Sequence, residues 1–148
     1  MENNQVYHNT YYGLDPHTGS HDIVIRNNVV HDNGEEGIIC SLNCYNILIE
    51  NNKAYHNQKS GIMLSRNMFN SIVKNNIVSD EVIGIHVSQS HDNQIFNNTI
   101  SNSMNAMDVH NGSSNNKICN NTIIKSTRGI SVSRSDATRN TIYSNIIR

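Results

Sequence analysis

Asparagine doublets recur along this chain at nearly constant spacing: Asn27-Asn28, Asn51-Asn52, Asn75-Asn76, Asn97-Asn98 and Asn120-Asn121, with Asn145 following. Their second members, continued to Asn145, stand 24, 24, 22, 23 and 24 residues apart, and Asn4 extends the series backward by another 24. The segments "ENNQVYHN" and "ENNKAYHN" are near copies. An asparagine-rich composition alone is compatible with disorder, but disorder has no reason to keep a period. A period in this range is the signature of a solenoid, in which each unit buries its apolar face by stacking on its neighbours.

A second landmark runs in step with the first: Gly13, Gly37, Gly61, Gly84, Ala106 and Gly129. One position later stand Leu14, Ile38, Ile62, Ile85, Met107 and Ile130; three positions later stand Pro16, Cys40, Leu64, Val87, Val109 and Val132. Apolar residues at every second position describe a strand with one buried face. The alternate columns, expected to face outward, hold Asp15, Ile39, Met63, His86, Asp108 and Ser131, then His17, Ser41, Ser65, Ser88, His110 and Ser133. A second strand per unit shows in "DIVIRNN", "NILIENN" and "NSIVKNN". No helical period is present, and the leucine-rich-repeat signature is absent. The expected fold is an all-β right-handed parallel β-helix of about six coils, one domain over residues 1–148, with an asparagine ladder inside. Of the asparagines that begin a glycosylation pattern, Asn97 and Asn120 are assigned to that inner ladder.

Stacking turns sequence into a surface map, because equivalent positions in successive coils line up at strand spacing, about 4.8 Å. The outward face of the landmark strand becomes a flat polar strip carrying Asp15, His17, Arg66, His86, Asp108 and His110. Such a strip suits an extended polymer better than a small metabolite, which needs a concave pocket. His8, His31 and His56 recur in the turn after the second strand and are assigned a structural role. The net charge is −1, so no global basic field points to nucleic acid. No apolar run is long enough to span a membrane. The three cysteines, Cys40, Cys44 and Cys119, match neither a disulfide framework nor a zinc spacing. The chain opens inside a coil without a capping segment, which points to an excerpt of a longer solenoid, an end-to-end copy or a covering partner.

One stretch breaks the pattern. Pro16, the chain's single proline, lies on the landmark strand between Asp15 and His17. Proline cannot donate to a sheet ladder. Around it stand a phenol (Tyr12), a carboxylate (Asp15) and an imidazole (His17) with no structural need of one another, and functional sites are where local rules fail. The stretch "YGLDPHTGSHDIVIRNNVVHDNGEEGIICS" resembles the catalytic segment of the mannuronan C5-epimerases, and the likeness continues through "NQKSGIMLSRNMFNSIVKNN". The six residues at positions 12–17 carry its specific part; the asparagine-rich coils are shared with other carbohydrate-acting β-helices.

The resemblance implies a β-1,4-linked polyuronate as partner and inversion at C5, mannuronate becoming guluronate. Such a reaction needs a base for the proton next to the carboxylate, an acid on the opposite face, and groups that neutralise the carboxylate. By the resemblance, His17 and Tyr12 transfer the protons and Asp15 organises the carboxylate site. Arg66, His86, Asp108 and His110 are expected to bind the polymer. Where branches of the family have Asp, Arg and His, this chain has Ser41, Leu42 and Ser60; Arg66, at the position of Leu42 one coil later, is the expected replacement. No cofactor or metal site is expected; calcium is compatible with the resemblance, but no residue pattern indicates it. The resemblance places such a protein outside the cytoplasm: secreted, periplasmic or at the cell surface. A polyuronate lyase, or a non-catalytic carbohydrate-binding β-helix scaffold, are the alternatives.

Overall fold

The computed structural model describes residues 1–133 and 136–148. It is a right-handed solenoid of parallel strands in three sheets. The landmark sheet has five strands, Ile38–Ser41, Ser60–Ser65, Ile83–Ser88, Asn105–His110 and Arg128–Val132. A six-stranded sheet runs from Val24–Arg26 to Thr141–Tyr143, and a seven-stranded sheet from Gln5–Tyr7 to Ile146–Ile147. Registers are as the landmarks require: Ile38, Ile62, Ile85, Met107 and Ile130 pair in sequence. Among the described residues no helix is long and apolar enough to cross a membrane.

Sequence reading found two strands per coil; the structure has three. The third follows each asparagine doublet and is three residues long in most coils, as in Val29–His31 and Lys53–Tyr55. His31 accordingly ends a strand rather than lying in a turn, and its ring stacks between Tyr7 and Tyr55, with ring centroids 5.1 and 4.8 Å away. A second stack climbs another corner through His21, Tyr45, Phe69 and His91.

The doublets divide their labour. The first asparagine of each, including Asn97 and Asn120, takes a positive φ of 54–57° and turns the chain, a conformation asparagine tolerates better than most residues. These two are therefore corner residues, not ladder residues as expected. The second points inward and forms the ladder. Side chains of Asn4, Asn28, Asn52, Asn76, Asn98, Asn121 and Asn145 are joined by successive bonds of 2.9–3.0 Å. Asn76 shows why the interior accepts them. Its amide nitrogen donates to Ile49, Lys74 and Asn98, while its oxygen accepts from both the backbone and the side chain of Asn52. Each inner amide of that ladder is thereby paired at both its nitrogen and its oxygen.

Between the ladders the core is aliphatic. Ile25, Ile49, Val73, Ile95 and Ile118 line one wall, and Ile38, Ile62, Ile85 and Met107 another, all essentially inaccessible. Each such side chain contributes about 1.5–3 kcal/mol by leaving water. The landmark glycines allow close approach. A Cβ at Gly37 would lie 2.7 Å from the Asn57 amide nitrogen and 2.8 Å from the Gly61 carbonyl.

A second ladder ends differently. Asn9, Asn33 and Asn57 bond in series at 2.8–2.9 Å, and Asn57 then donates to Glu81 at 2.8 Å. Glu81 is buried, and its other carboxyl oxygen has no partner. Burial pushes its carboxyl up to about 8, against the hydrogen bonds from Asn57. Sequence reading did not single it out.

Candidate functional site

The motif coil joins the landmark sheet through isolated bridges, Leu14 to Ile38 and His17 to Ser41. Pro16 points into the core and is buried. It lacks a donor, but its carbonyl still accepts from the Ser41 amide at 3.3 Å and from the Cys44 thiol at 3.5 Å. The proline thus keeps half of its ladder bonding and fills the inward column continued by Cys40 and Leu64. Its neighbours Asp15 and His17 fall on the outward face. His17 is exposed, with Nδ1 2.6 Å from the Thr18 hydroxyl and its carbonyl accepting from the Ser20 hydroxyl at 2.7 Å. Asp15 is half-buried, and its Oδ1 is enclosed with no hydrogen-bond partner. Burial raises the Asp15 carboxyl above its ordinary range, while the charges of His17 and Arg66 oppose the rise.

Tyr12 lies in the field of Glu35 and Glu36, and among the described residues no hydrogen bond joins its hydroxyl to His17. Burial raises its phenol, with the charges of Glu35 and Glu36 adding to the effect, so it stays protonated at neutral pH. Lys59 pairs with Glu35 at 2.9 Å. Glu36 is buried beside them; burial raises its carboxyl, and the fields of Lys59 and Arg66 act against that. Arg66 therefore acts electrostatically on both Asp15 and Glu36, yet among the described residues no carboxylate stands within ion-pair distance of it. Glu35, Glu36 and Lys59 were missed in the sequence. Backbone bonds from Glu35 to Tyr11, Lys59 to Glu35 and Gly13 to Glu36 place them at the coil positions of Tyr11 and Tyr12, a correspondence the repeat spacing already contained.

The strip is less open than expected. Ser41, Ser65 and Ser88, assigned to an exposed face, are 1%, 4% and 5% accessible, and Ile39 is 3% accessible. Ser41 pairs with His17 on one side and Ser88 with His110 on the other. Small side chains between bulkier ones in adjoining coils lose their access to solvent. The outward face is thus a recessed floor with charged or aromatic residues standing at intervals.

Further along, His86 and Asp108 pair directly across adjacent coils, and His110 follows Asp108 on the same face. The two imidazole rings lie 4.8 Å apart between centroids and 9° from parallel, edge to edge, with Nε2 atoms 2.5 Å apart. Burial, with His110 beside it, lowers His86 to about 4, so it meets a ligand as a neutral ring. Asp108 Oδ1, like Asp15 Oδ1, is enclosed and unpartnered. The structure therefore gathers the predicted residues into two groups: Asp15 and His17 with the field of Arg66, and His86, Asp108 and His110. A shallow depression bordered by His56, Asp80, Glu81 and Met104 lies apart from both.

Parallel coils, an internal polar ladder and a polar outer strip define a right-handed parallel β-helix whose landmark sheet presents titratable groups. The model of the family described as "Right handed beta helix region" matches residues 1–123 and 39–148, and the chain belongs to that family. Its fold is shared with several solved structures. The Azotobacter vinelandii mannuronan C-5 epimerase AlgE4 A-module superposes with a TM-score of 0.90 at 23% identity, over 98% of this chain and 46% of that one. The periplasmic alginate epimerase AlgG gives 0.83 at 24% identity, over 97% and 44%. The Azotobacter vinelandii AlgE6 A-module gives 0.76 at 21% identity, over 99% and 51%. The chain thus spans about half the length of each. No curated protein matches it in sequence.

Proposed function

We propose that this chain carries the catalytic face of a polyuronate C5-epimerase, acting on a β-1,4-linked chain of mannuronate type. The observation that carries this reading is the arrangement at residues 15–17. An unpartnered carboxyl oxygen of Asp15 is enclosed on the outward face beside His17, within the field of Arg66. An enclosed oxygen without a partner is unfavourable unless a ligand completes it. A sugar carboxylate does so if one proton is shared between the two acids, and the raised Asp15 carboxyl suits that role. Arg66, which has no ion-pair partner among the described residues, supplies the compensating charge.

With the carboxylate so held, the C5 proton becomes acidic enough for a positioned base. A neutral imidazole can accept it, which assigns the step to His17. The C5–H electron pair moves into the carboxylate, giving an enediolate-type intermediate. A proton then returns to C5 from the opposite face. Tyr12, held protonated, is assigned as the donor, with Glu35 and Lys59 able to restore its proton. The names of the solved structures with this fold, alginate and mannuronan epimerases, favour the same chemistry.

The test is a proton NMR time course with polymannuronate in D2O. Guluronate signals carrying deuterium at C5, without chain cleavage, are the expected result. An unsaturated sugar absorbing in the ultraviolet would assign a lyase instead. Intact polymer that binds without reacting would assign a scaffold.

A further inference from the structure

We propose that His86, Asp108 and His110 form a binding site for a divalent first-row transition-metal ion of the zinc, cobalt and nickel class. One ligand atom from each residue can be chosen so that all lie within 4.8 Å of one another. The parallel register builds this cluster. His86 pairs with Asp108, and Ser88 pairs with His110, so three outward positions on two adjacent coils converge. The imidazole Nε2 atoms face each other at 2.5 Å with rings nearly parallel, 9° apart. One proton between two such nitrogens makes a single N–H···N hydrogen bond, and a shared cation can take that proton's place and bind both lone pairs. Metal–nitrogen bonds of about 2.0–2.1 Å put two such nitrogens about 3 Å apart, so the rings need open only slightly.

Two further features point the same way. Asp108 Oδ1 is enclosed without any hydrogen-bond partner, a free anionic donor beside the imidazoles. On the far side of His86, the Ser60 hydroxyl lies 3.5 Å from Nδ1, which leaves Nε2 as the ligating nitrogen. Two imidazoles with one carboxylate favour borderline transition ions over calcium or magnesium, which take oxygen donors. All three residues are half-buried and not sealed, so an ion held there keeps positions open toward the strip.

The experiment titrates the purified chain with Co2+ in the absence of polysaccharide, reading the visible d–d absorption and its loss on adding Zn2+. A saturable signal is expected, weakened at least ~10-fold in His86→Ala, His110→Ala and Asp108→Asn. His91→Ala, which removes an imidazole bonded to Asp92 and Asn67, should leave the signal unchanged. Ca2+ and Mg2+ at equal concentration should not displace cobalt. Melting midpoints of the metal-free variants separate lost binding from lost folding, and the nearly isosteric Asp108→Asn is the decisive case. Absent binding, cobalt affinity indifferent to all three substitutions, or displacement by calcium would each overturn the site. None of these readouts depends on epimerase activity.

Discussion

The inside and the outside of this solenoid obey different rules. Inside, a position repeats the same residue coil after coil, as Asn28, Asn52, Asn76, Asn98 and Asn121 do, because each side chain satisfies the one stacked on it. Outside, the column of Asp15 continues as Ile39, Met63, His86 and Asp108, with no chemical theme. An interior substitution is constrained by two neighbours at once, whereas an outward one changes a single place on the strip. Chemistry can therefore be installed one coil at a time where the ladder cannot follow. Glu81 is the exception, an ionisable group standing inside a ladder.

Glu81 offers the largest test. Its folded carboxyl titrates near 8, above the ordinary value of 4.5, so the folded chain retains a proton that the unfolded chain releases. The resulting stabilisation is complete below about 4.5 and disappears as pH rises to about 8, by up to ~1.4 kcal/mol per pH unit. Urea midpoints should fall across that window, and Glu81→Gln should flatten the slope. The nearby titratable groups Asp32, Asp80 and His56 remain in both chains, so the difference isolates Glu81. Parallel slopes in the two would return Glu81 to the ordinary run of the ladder.

On the outside, His17→Ala and Tyr12→Phe should each slow epimerisation at least ~100-fold, the lower range for lost acid–base catalysis, with melting unchanged. A melting loss as large as the activity loss would mean that the strip is structural after all. Inside, Asn76→Ala should cost about 1–3 kcal/mol, since it strands buried groups of Asn52, Ile49 and Lys74. Asn67, at an exposed corner, donates to Asn43 at 2.7 Å and meets His91 at 2.9 Å. That outer ladder is exposed to water, so Asn67→Gly, which keeps the φ of 69° without strain, should cost less than about 1 kcal/mol. Chemical denaturation of both variants would erase the distinction if the costs were equal. Pro16→Ala, which deletes buried ring carbons and loosens the unfolded chain, should cost about 1–2 kcal/mol. A large fall in turnover in the still-folded variant would make the proline ring itself a positioning element for His17.

What the sequence disclosed follows from the same division. Both ladder and landmark columns were legible because interior repetition writes itself as a period. The motif was legible because a proline on a sheet strand, between Asp15 and His17, breaks a rule. The third strand of each coil went unread because its residues vary from coil to coil, as VVH, KAY and IVS do. The burial of Ser41, Ser65 and Ser88 depends on the height of neighbours in other coils, which composition does not convey. His86 meeting His110 is a rotamer choice made after the backbone is set. Glu81 could have been found: counting 24 from Asn33 reaches Asn57, and 24 more reaches Glu81.

The unequal repeat lengths have a consequence for how such a molecule can grow. From ladder asparagine to landmark glycine the chain takes nine residues in Asn28 to Gly37 and eight in Asn76 to Gly84. From landmark to the next ladder asparagine it takes 15 in Gly61 to Asn76, 14 in Gly84 to Asn98 and 16 in Gly129 to Asn145. Among the described residues the changes of length fall at corners, and the strands stay in phase. Insertions at corners are therefore silent to the columns, whereas a single residue added within Ile83–Ser88 would turn His86 inward. Duplication of a complete coil would do neither: it would carry His86, Asp108 and His110 one strand spacing, about 4.8 Å, further from Asp15 and His17 with both groups intact. The distance between the two groups is thus an integer that gene duplication can edit without redesigning either one.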